Sequence, residues 1–214
     1  MKKYIYSLSL LLAVSFTGCQ QEQLSCCTKA AATKNKKIQP TVASFTGGIT
    51  DKSIYNLEST WTNQDDQKVK LEKLQGKVQL VAMIYTGCTY ACPRTIADLN
   101  RIEKALQKYN REELGVVLVS MDPDRDTPAK LREFAAANHL GNDRWTLLTS
   151  QPDNILELAA LLNVKYKKQL NGDIGHSNII TVLNPQGEIV HQQEGLGAAP
   201  DETIKAVEGL LSQI

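Results

Sequence analysis

Eight residues, Val78-Gln79-Leu80-Val81-Ala82-Met83-Ile84-Tyr85, form a nearly unbroken apolar run that stops at Thr86-Gly87-Cys88. A strand with one wet face alternates apolar and polar side chains, so a continuous run predicts a strand buried on both faces. Cys92-Pro93 then opens a helix, because proline is tolerated at the first helical position, where its missing N–H would be unpaired anyway. Ile96, Leu99, Ile102, Leu106 and Tyr109 continue that helix at helical spacing. A strand covered on both sides and followed directly by a helix restricts the chain to layered α/β architectures.

The remaining pattern narrows this further. Residues 115–120 read as a second buried strand. A helix begins at Thr127-Pro128 with Leu131, Phe134 and Ala135 facing inward, and residues 145–148 are strand-like. Residues 153–163 carry Ile155, Leu158, Ala159 and Leu162 at helical spacing, and 164–166 make a short strand. Residues 179–183 and 188–191 flank the turn Asn184-Pro185-Gln186-Gly187, which reads as a hairpin, and 203–211 form a closing helix. Ahead of the first run, 55–62 and 69–71 are expected to pair around turn residues 63–66. The order predicts a three-layer α/β domain with a mixed central sheet. A parallel core that ends in an antiparallel hairpin is thioredoxin-like, here with an added N-terminal β-hairpin.

The N-terminus reads as an address. Lys2 and Lys3 precede an apolar run over residues 4–16, the length of a secretory signal and shorter than the roughly 18–20 residues that span a bilayer. Phe16-Thr17-Gly18-Cys19 resembles a bacterial lipobox, with Phe16 where leucine is usual, and makes Cys19 the lipidation candidate. The expected organisation is therefore a lipoprotein signal peptide (1–18), a flexible tether (19–50) rich in Gln, Ser, Thr, Ala and Lys, and a folded domain (51–214). Such a protein is exported and anchored to a bacterial membrane on its extracytoplasmic, periplasmic side. The chain has 24 basic and 23 acidic residues, and loss of 1–18 removes two lysines and no acid. A near-neutral chain without a basic stripe gives no electrostatic basis for nucleic-acid binding, and points instead to other exported proteins as partners.

Of five cysteines, Cys26 and Cys27 lie side by side in the tether, with no role decided by the sequence. Cys88 and Cys92 lie where a buried strand gives way to a helix, and a helix N-terminus stabilises thiolates. A thiolate pair there can exchange disulfides or bind a soft metal, or it can be a structural disulfide. Three intervening residues, Thr89, Tyr90 and Ala91, separate it from the two-residue spacing of thioredoxins. Three histidines are available as a third ligand. His139 lies near a helix end and His191 in the last hairpin, whereas His176 lies in a loop, Gly172 to Ser177, just before the 179–183 strand. In a thioredoxin fold that loop faces the cysteines. Two thiolates and an imidazole suit copper, Cu(I) above all, while zinc would prefer a fourth ligand. Asp122, just past a central strand, could support the site from behind, and Met83 and Met121 read as core. In Asp122-Pro123-Asp124-Arg125-Asp126-Thr127-Pro128, Thr127 is the expected helix cap.

Three blocks of this sequence resemble one family. GKVQLVAMIYTGCTYACPRTIADL ends a strand in C-x-x-x-C-P, VSMDPDRDTPAKLREFAAA carries the D-P-x-R-D-T-P string, and IGHSNIITVLNPQGEIV contains His176. Over residues 54–214 the chain is similar to the SCO/SenC copper proteins that assist assembly of cytochrome c oxidase. The resemblance implies copper ligation by Cys88, Cys92 and His176, and a metallochaperone role toward the CuA centre of oxidase subunit II or another copper acceptor. Thr89 stands where the family often has proline, Tyr90 where aspartate is common, and Gly87 where a polar residue is frequent. The alternative is a thiol–disulfide oxidoreductase that reduces the acceptor's cysteines through Cys88 and Cys92. Against a thioredoxin-type enzyme, no proline precedes Ile179. Against a peroxidase of the peroxiredoxin kind, the P-x-x-x-T-x-x-C pattern is absent from this chain, and a copper sensor would carry the same sequence features as a chaperone.

Overall fold

Strands β3 (Val78–Ile84) and β4 (Leu114–Ser120) bury all seven of their residues and run parallel at the centre of the computed structural model, which describes residues 48–141 and 143–214. The signal-peptide boundary, Cys19, Cys26 and Cys27 lie outside the described residues. On one side of this pair β5 (Trp145–Thr149) continues the parallel core. On the other side β8 (Ile179–Leu183) runs antiparallel to β3, and β9 (Ile189–Glu194) pairs antiparallel with β8 at the edge. The full sheet adds β1 (Trp61–Asn63) and β2 (Lys68–Val69) next to β5 and reads β2-β1-β5-β4-β3-β8-β9. Helices α1 (Ala91–Ala105), α2 (Pro128–Ala137), α3 (Pro152–Leu161) and α4 (Asp201–Leu211) complete the domain. The fold is α/β, mixed-sheeted and thioredoxin-like, as the apolar runs predict.

Three local expectations are corrected. Residues 55–62 do not form a strand. Ile54–Asn56 is a 3₁₀ turn, because the Ser53 hydroxyl accepts the Tyr55 N–H at 3.0 Å and the Ile54 N–H goes to Gly187 at 3.0 Å. Local side-chain bonding to the backbone competes with a strand ladder. Only Trp61 to Asn63 pairs, so the N-terminal hairpin is β1–β2 and shorter than expected, and Leu71–Leu74 is a second 3₁₀ turn.

Helix α1 begins at Ala91, so Pro93 is its third residue and not its first. Proline is tolerated there because none of the first four helical N–H groups has a partner within the helix. By contrast Thr127 caps α2 as expected, its hydroxyl accepting the Lys130 N–H at 3.3 Å.

The third correction matters most for the site. His176 is not in a loop. It ends β7 (Ile174–His176), which pairs antiparallel with β6 (Tyr166–Lys168) in a separate two-stranded sheet, Tyr166 opposite His176. The expected strand at 164–166 therefore starts two residues later. Gly172, at φ 86°, makes the turn between the two strands in a conformation that side chains with a Cβ rarely adopt.

Candidate metal centre

The cysteine arm grows out of the core. After Ile84 the chain leaves the sheet through Tyr85, which is buried, and turns so that the Cys88 N–H donates to the Tyr85 carbonyl at 3.2 Å. A carboxylate fixes this turn from below. Asp126, fully buried, accepts the Thr86 N–H at 3.0 Å, the Thr86 hydroxyl at 2.5 Å and the Ser120 hydroxyl at 2.6 Å. Three donors satisfy most of a carboxylate's accepting capacity and offset the cost of burying it.

Helix α1 has no side-chain cap from Tyr90, its N-cap residue. The Cys88 sulfur fills that role, accepting the Cys92 N–H at 3.2 Å. Burial alone would push the Cys88 thiol up. The hydrogen bonds from Cys92, Tyr90 and Ala91 outweigh it and hold the thiol below its ordinary range. Cys92, with none of its surface exposed, is pushed up by burial and by the negative charge it would share with Cys88 and Asp126. Metal-free, the pair therefore combines a half-buried thiol of lowered pKa, Cys88, with a buried thiol of raised pKa, Cys92.

The histidine arm arrives from the β6–β7 hairpin. The His176 Nδ1 lies 3.0 Å from the Ser177 carbonyl, and a carbonyl only accepts, so Nδ1 carries the proton. That leaves Nε2 with a lone pair. It is buried and has no hydrogen-bond partner among the described residues. Burial lowers the His176 pKa and the Ser177 carbonyl only partly reverses this, so the neutral, metal-binding imidazole is favoured. Tyr85 stands edge-on to the imidazole with ring centroids 6.1 Å apart.

Both thiols and the imidazole converge, with one donor atom from each of Cys88, Cys92 and His176 within 4.8 Å of the others. A cleft of about 290 Å³ opens over them, lined by Tyr85, Thr89, Tyr90, Gln169 and Asp173 among others. Two sulfurs and an imidazole nitrogen form a soft donor set with no fourth protein ligand among the described residues, which fits a cuprous ion better than zinc. An imidazole beside two sulfurs, with its buried Nε2 left without a hydrogen-bond partner, is what such an ion would satisfy.

Family comparison agrees with the geometry. The SCO1/SenC family model matches residues 49–212. The chain belongs to the SCO1/SenC family. It is similar to the SCO1 protein homolog of Bacillus subtilis, at 31% identity over 160 residues, covering 73% of this chain and 82% of that relative. Among solved structures it is similar to BsSco, described as a member of the Sco family of cytochrome c oxidase assembly proteins with a disulfide switch. The identity there is 30%, with a TM-score of 0.63, over 72% of this chain and 92% of that one. Arabidopsis thaliana ScoI with copper bound shares the fold, at 22% identity and a TM-score of 0.64, over 73% of this chain and 97% of that one.

The other sequence candidates fall into place around this SCO1/SenC site. Asp122 is buried and does not reach the three donors. It pairs with Arg125, and Lys168 lies 3.8 Å from its other oxygen. Arg125 in turn donates to the Gly172 carbonyl at 2.6 Å, in the turn of the hairpin that carries His176. Asp122 thus bears on the histidine arm through Arg125. Met83 and Met121 are core residues; His139 is exposed with φ 58°, and His191 bonds the Thr203 hydroxyl at 3.0 Å. Sequence reasoning missed Asp126 and Tyr85. Asp126 had one available signal, an acidic residue just before a capped helix in the block that follows β4.

Proposed function

We propose that this chain carries one copper ion on Cys88, Cys92 and His176 and delivers it to the CuA centre of cytochrome c oxidase subunit II. The carrying observation is the convergence of two thiols on an imidazole nitrogen that is buried without a partner. Copper here is cargo: two sulfurs hold it tightly, and the open cleft lets an acceptor's ligands replace them one at a time. The family, with members described as oxidase assembly proteins, supplies the target. Among the described residues no helix is long and apolar enough to cross a membrane. Delivery outside the cytoplasm then relies on export through residues 1–18 and a lipid on Cys19.

The test is a strain lacking the chain, scored for the CuA signal of its oxidase. Restoration by the wild type and not by His176→Ala supports the reading, and a full CuA signal in the strain without the chain overturns it. Loss of lipid labelling in Cys19→Ser checks the anchor.

A second reading is favoured by one observation: Cys88 and Cys92 are both free, close, and opposite in acidity. Such a pair reduces a disulfide by attack from Cys88 and resolution by Cys92. Oxidase assembly restored by added copper in a Cys92→Ser strain would favour delivery, whereas restoration by an external thiol reductant would favour reduction.

A further inference from the structure

Tyr90 borders two hollows. It lines the cleft over the donor atoms, and it lines a second groove of about 480 Å³ along the first three turns of α1. Ala97 and Leu196 give that groove apolar surface, and Arg94 and Arg101 border it. Tyr90 itself is 66% exposed, so its ring is open to a partner.

The groove's charge is positive for a traceable reason. Its one acid, Asp98, is 4% exposed and already engaged, one oxygen by Arg101 at 2.5 Å and the other by the Gly197 N–H at 2.8 Å. Arg94 has no carboxylate partner among the described residues. Its guanidinium is held 3.8 Å over the Tyr90 ring and donates to the Tyr90 carbonyl at 2.9 Å. A cation fixed by stacking keeps its charge and loses little freedom on meeting an anion. The far wall is tied to both arms of the site: Gly197 to Asp98 on α1, and Gly195 through its N–H to the Asn178 carbonyl at 2.9 Å, two residues past His176.

We propose that this groove docks an acidic, extended segment of the copper acceptor, with a carboxylate on Arg94 and an apolar side chain against Tyr90 and Leu196. The inference rests on the delivery reading for its partner and extends it by assigning the contact. Because Tyr90 borders both hollows, a segment lying in the groove runs directly into the cleft and brings the acceptor's own thiols over Cys88. The hairpin carries charges of its own, Asp173 in the cleft lining and Lys167 and Lys168 on β6, the latter paired with Asp124 at 2.9 Å, and substitutions there separate its contribution from that of Arg94.

The test uses the full chain carrying Cys26→Ser and Cys27→Ser, in detergent, reduced and metal-free, with two synthetic peptides as probes. Each carries one cysteine activated as a pyridyl disulfide, flanked by three Asp in one and three Lys in the other. The Cys88 thiolate attacks the peptide sulfur, a Cys88–peptide S–S bond forms, the peptide–pyridine S–S bond breaks, and the electron pair leaves on pyridine-2-thiolate, whose absorbance gives the rate. The ratio of the two rates cancels any change in Cys88 reactivity.

The wild type is expected to prefer the Asp peptide about fivefold at low salt, with the preference fading as salt screens it. Arg94→Glu brings the ratio to one or below, and Lys104→Glu, farther along the same helix, leaves it unchanged. If Arg94→Glu reacts with neither peptide, Arg94→Gln carries the test and must lower the ratio. A wild-type ratio of one overturns the proposal, as does a preference that survives Arg94→Glu and disappears only in Lys167→Glu. A chain that keeps the Asp preference but loads no copper sinks the delivery reading and leaves the groove standing. One that loads copper without preference does the reverse.

Discussion

Cys88 and Cys92 hang from the end of a strand with every residue buried and from the first turn of a 15-residue helix, whereas His176 ends a three-residue strand outside the main sheet. The first arm inherits the rigidity of the core, and close packing leaves it no alternative position. The second depends on a short list of polar ties: Arg125 to Gly172, the Ser177 N–H to the Lys165 carbonyl and the Lys165 N–H to the Ser177 hydroxyl, both at 2.9 Å, and the three-pair ladder of β6–β7. The contrast suits the proposed carrier role, which needs cargo both kept and surrendered. On that proposal the two sulfurs would stay fixed while the imidazole moved aside, opening one coordination position without disturbing the fold.

Substitution on each side sharpens this difference. The largest effect belongs to the core: Leu80→Ala, at a fully buried position on β3, is expected to lower unfolding stability by about 2–5 kcal/mol in a denaturant titration. Asp126→Ala comes next. It leaves the Thr86 N–H and the Thr86 and Ser120 hydroxyls without an acceptor, for about 1–3 kcal/mol, and weakens copper binding by loosening the cysteine turn.

Ser177→Ala acts on the other arm. It removes the hydroxyl that accepts the Lys165 N–H, and is expected to cost under about 1.5 kcal/mol globally. Its signature is local: faster amide hydrogen exchange confined to residues 166–176, with β3 and β4 unchanged. If exchange rises equally in both regions, the arms are one cooperative unit and the contrast fails.

The smallest perturbation is a change of pH. Cys88 in the metal-free chain is expected to alkylate with a midpoint below that of an ordinary thiol. Its depressed pKa keeps the reactive thiolate present as pH falls, until the midpoint is crossed. Cys92, buried and pushed up, stays unmodified across that range. Equal labelling of the two by mass spectrometry would remove the asymmetry within the rigid arm.

The same contrast decides what the sequence made legible. The rigid arm announces itself, because a strand buried on both faces must be apolar throughout, and Val78 to Ile84 is so except for Gln79, whose amide donates to the Leu74 carbonyl at 2.9 Å. The Cys88–Cys92 spacing at its exit follows directly. The histidine arm is quiet: Tyr166-Lys167-Lys168 and Ile174-Gly175-His176 have too few apolar residues to show a period of two, so the hairpin reads as loop. His176 was found by its place before an apolar strand and by family resemblance. Asp126 was hidden because its partners, Thr86 and Ser120, come from separate strand exits that meet only in the parallel sheet. The 3₁₀ turn at Ile54 escaped notice for a similar reason, since it is set by Gly187, more than a hundred residues away.

The central claim, that both arms close on one copper ion, is tested most directly by loading the full reduced chain with copper beside His176→Ala and reading stoichiometry and absorption. The account predicts about one equivalent bound, a thiolate-to-Cu(II) charge-transfer band after oxidation of the metal, and marked loss of both in the variant with no change in unfolding stability beyond about 1 kcal/mol. Unchanged copper binding and an unchanged band in His176→Ala would contradict it, leaving the cysteine pair to act without the histidine arm.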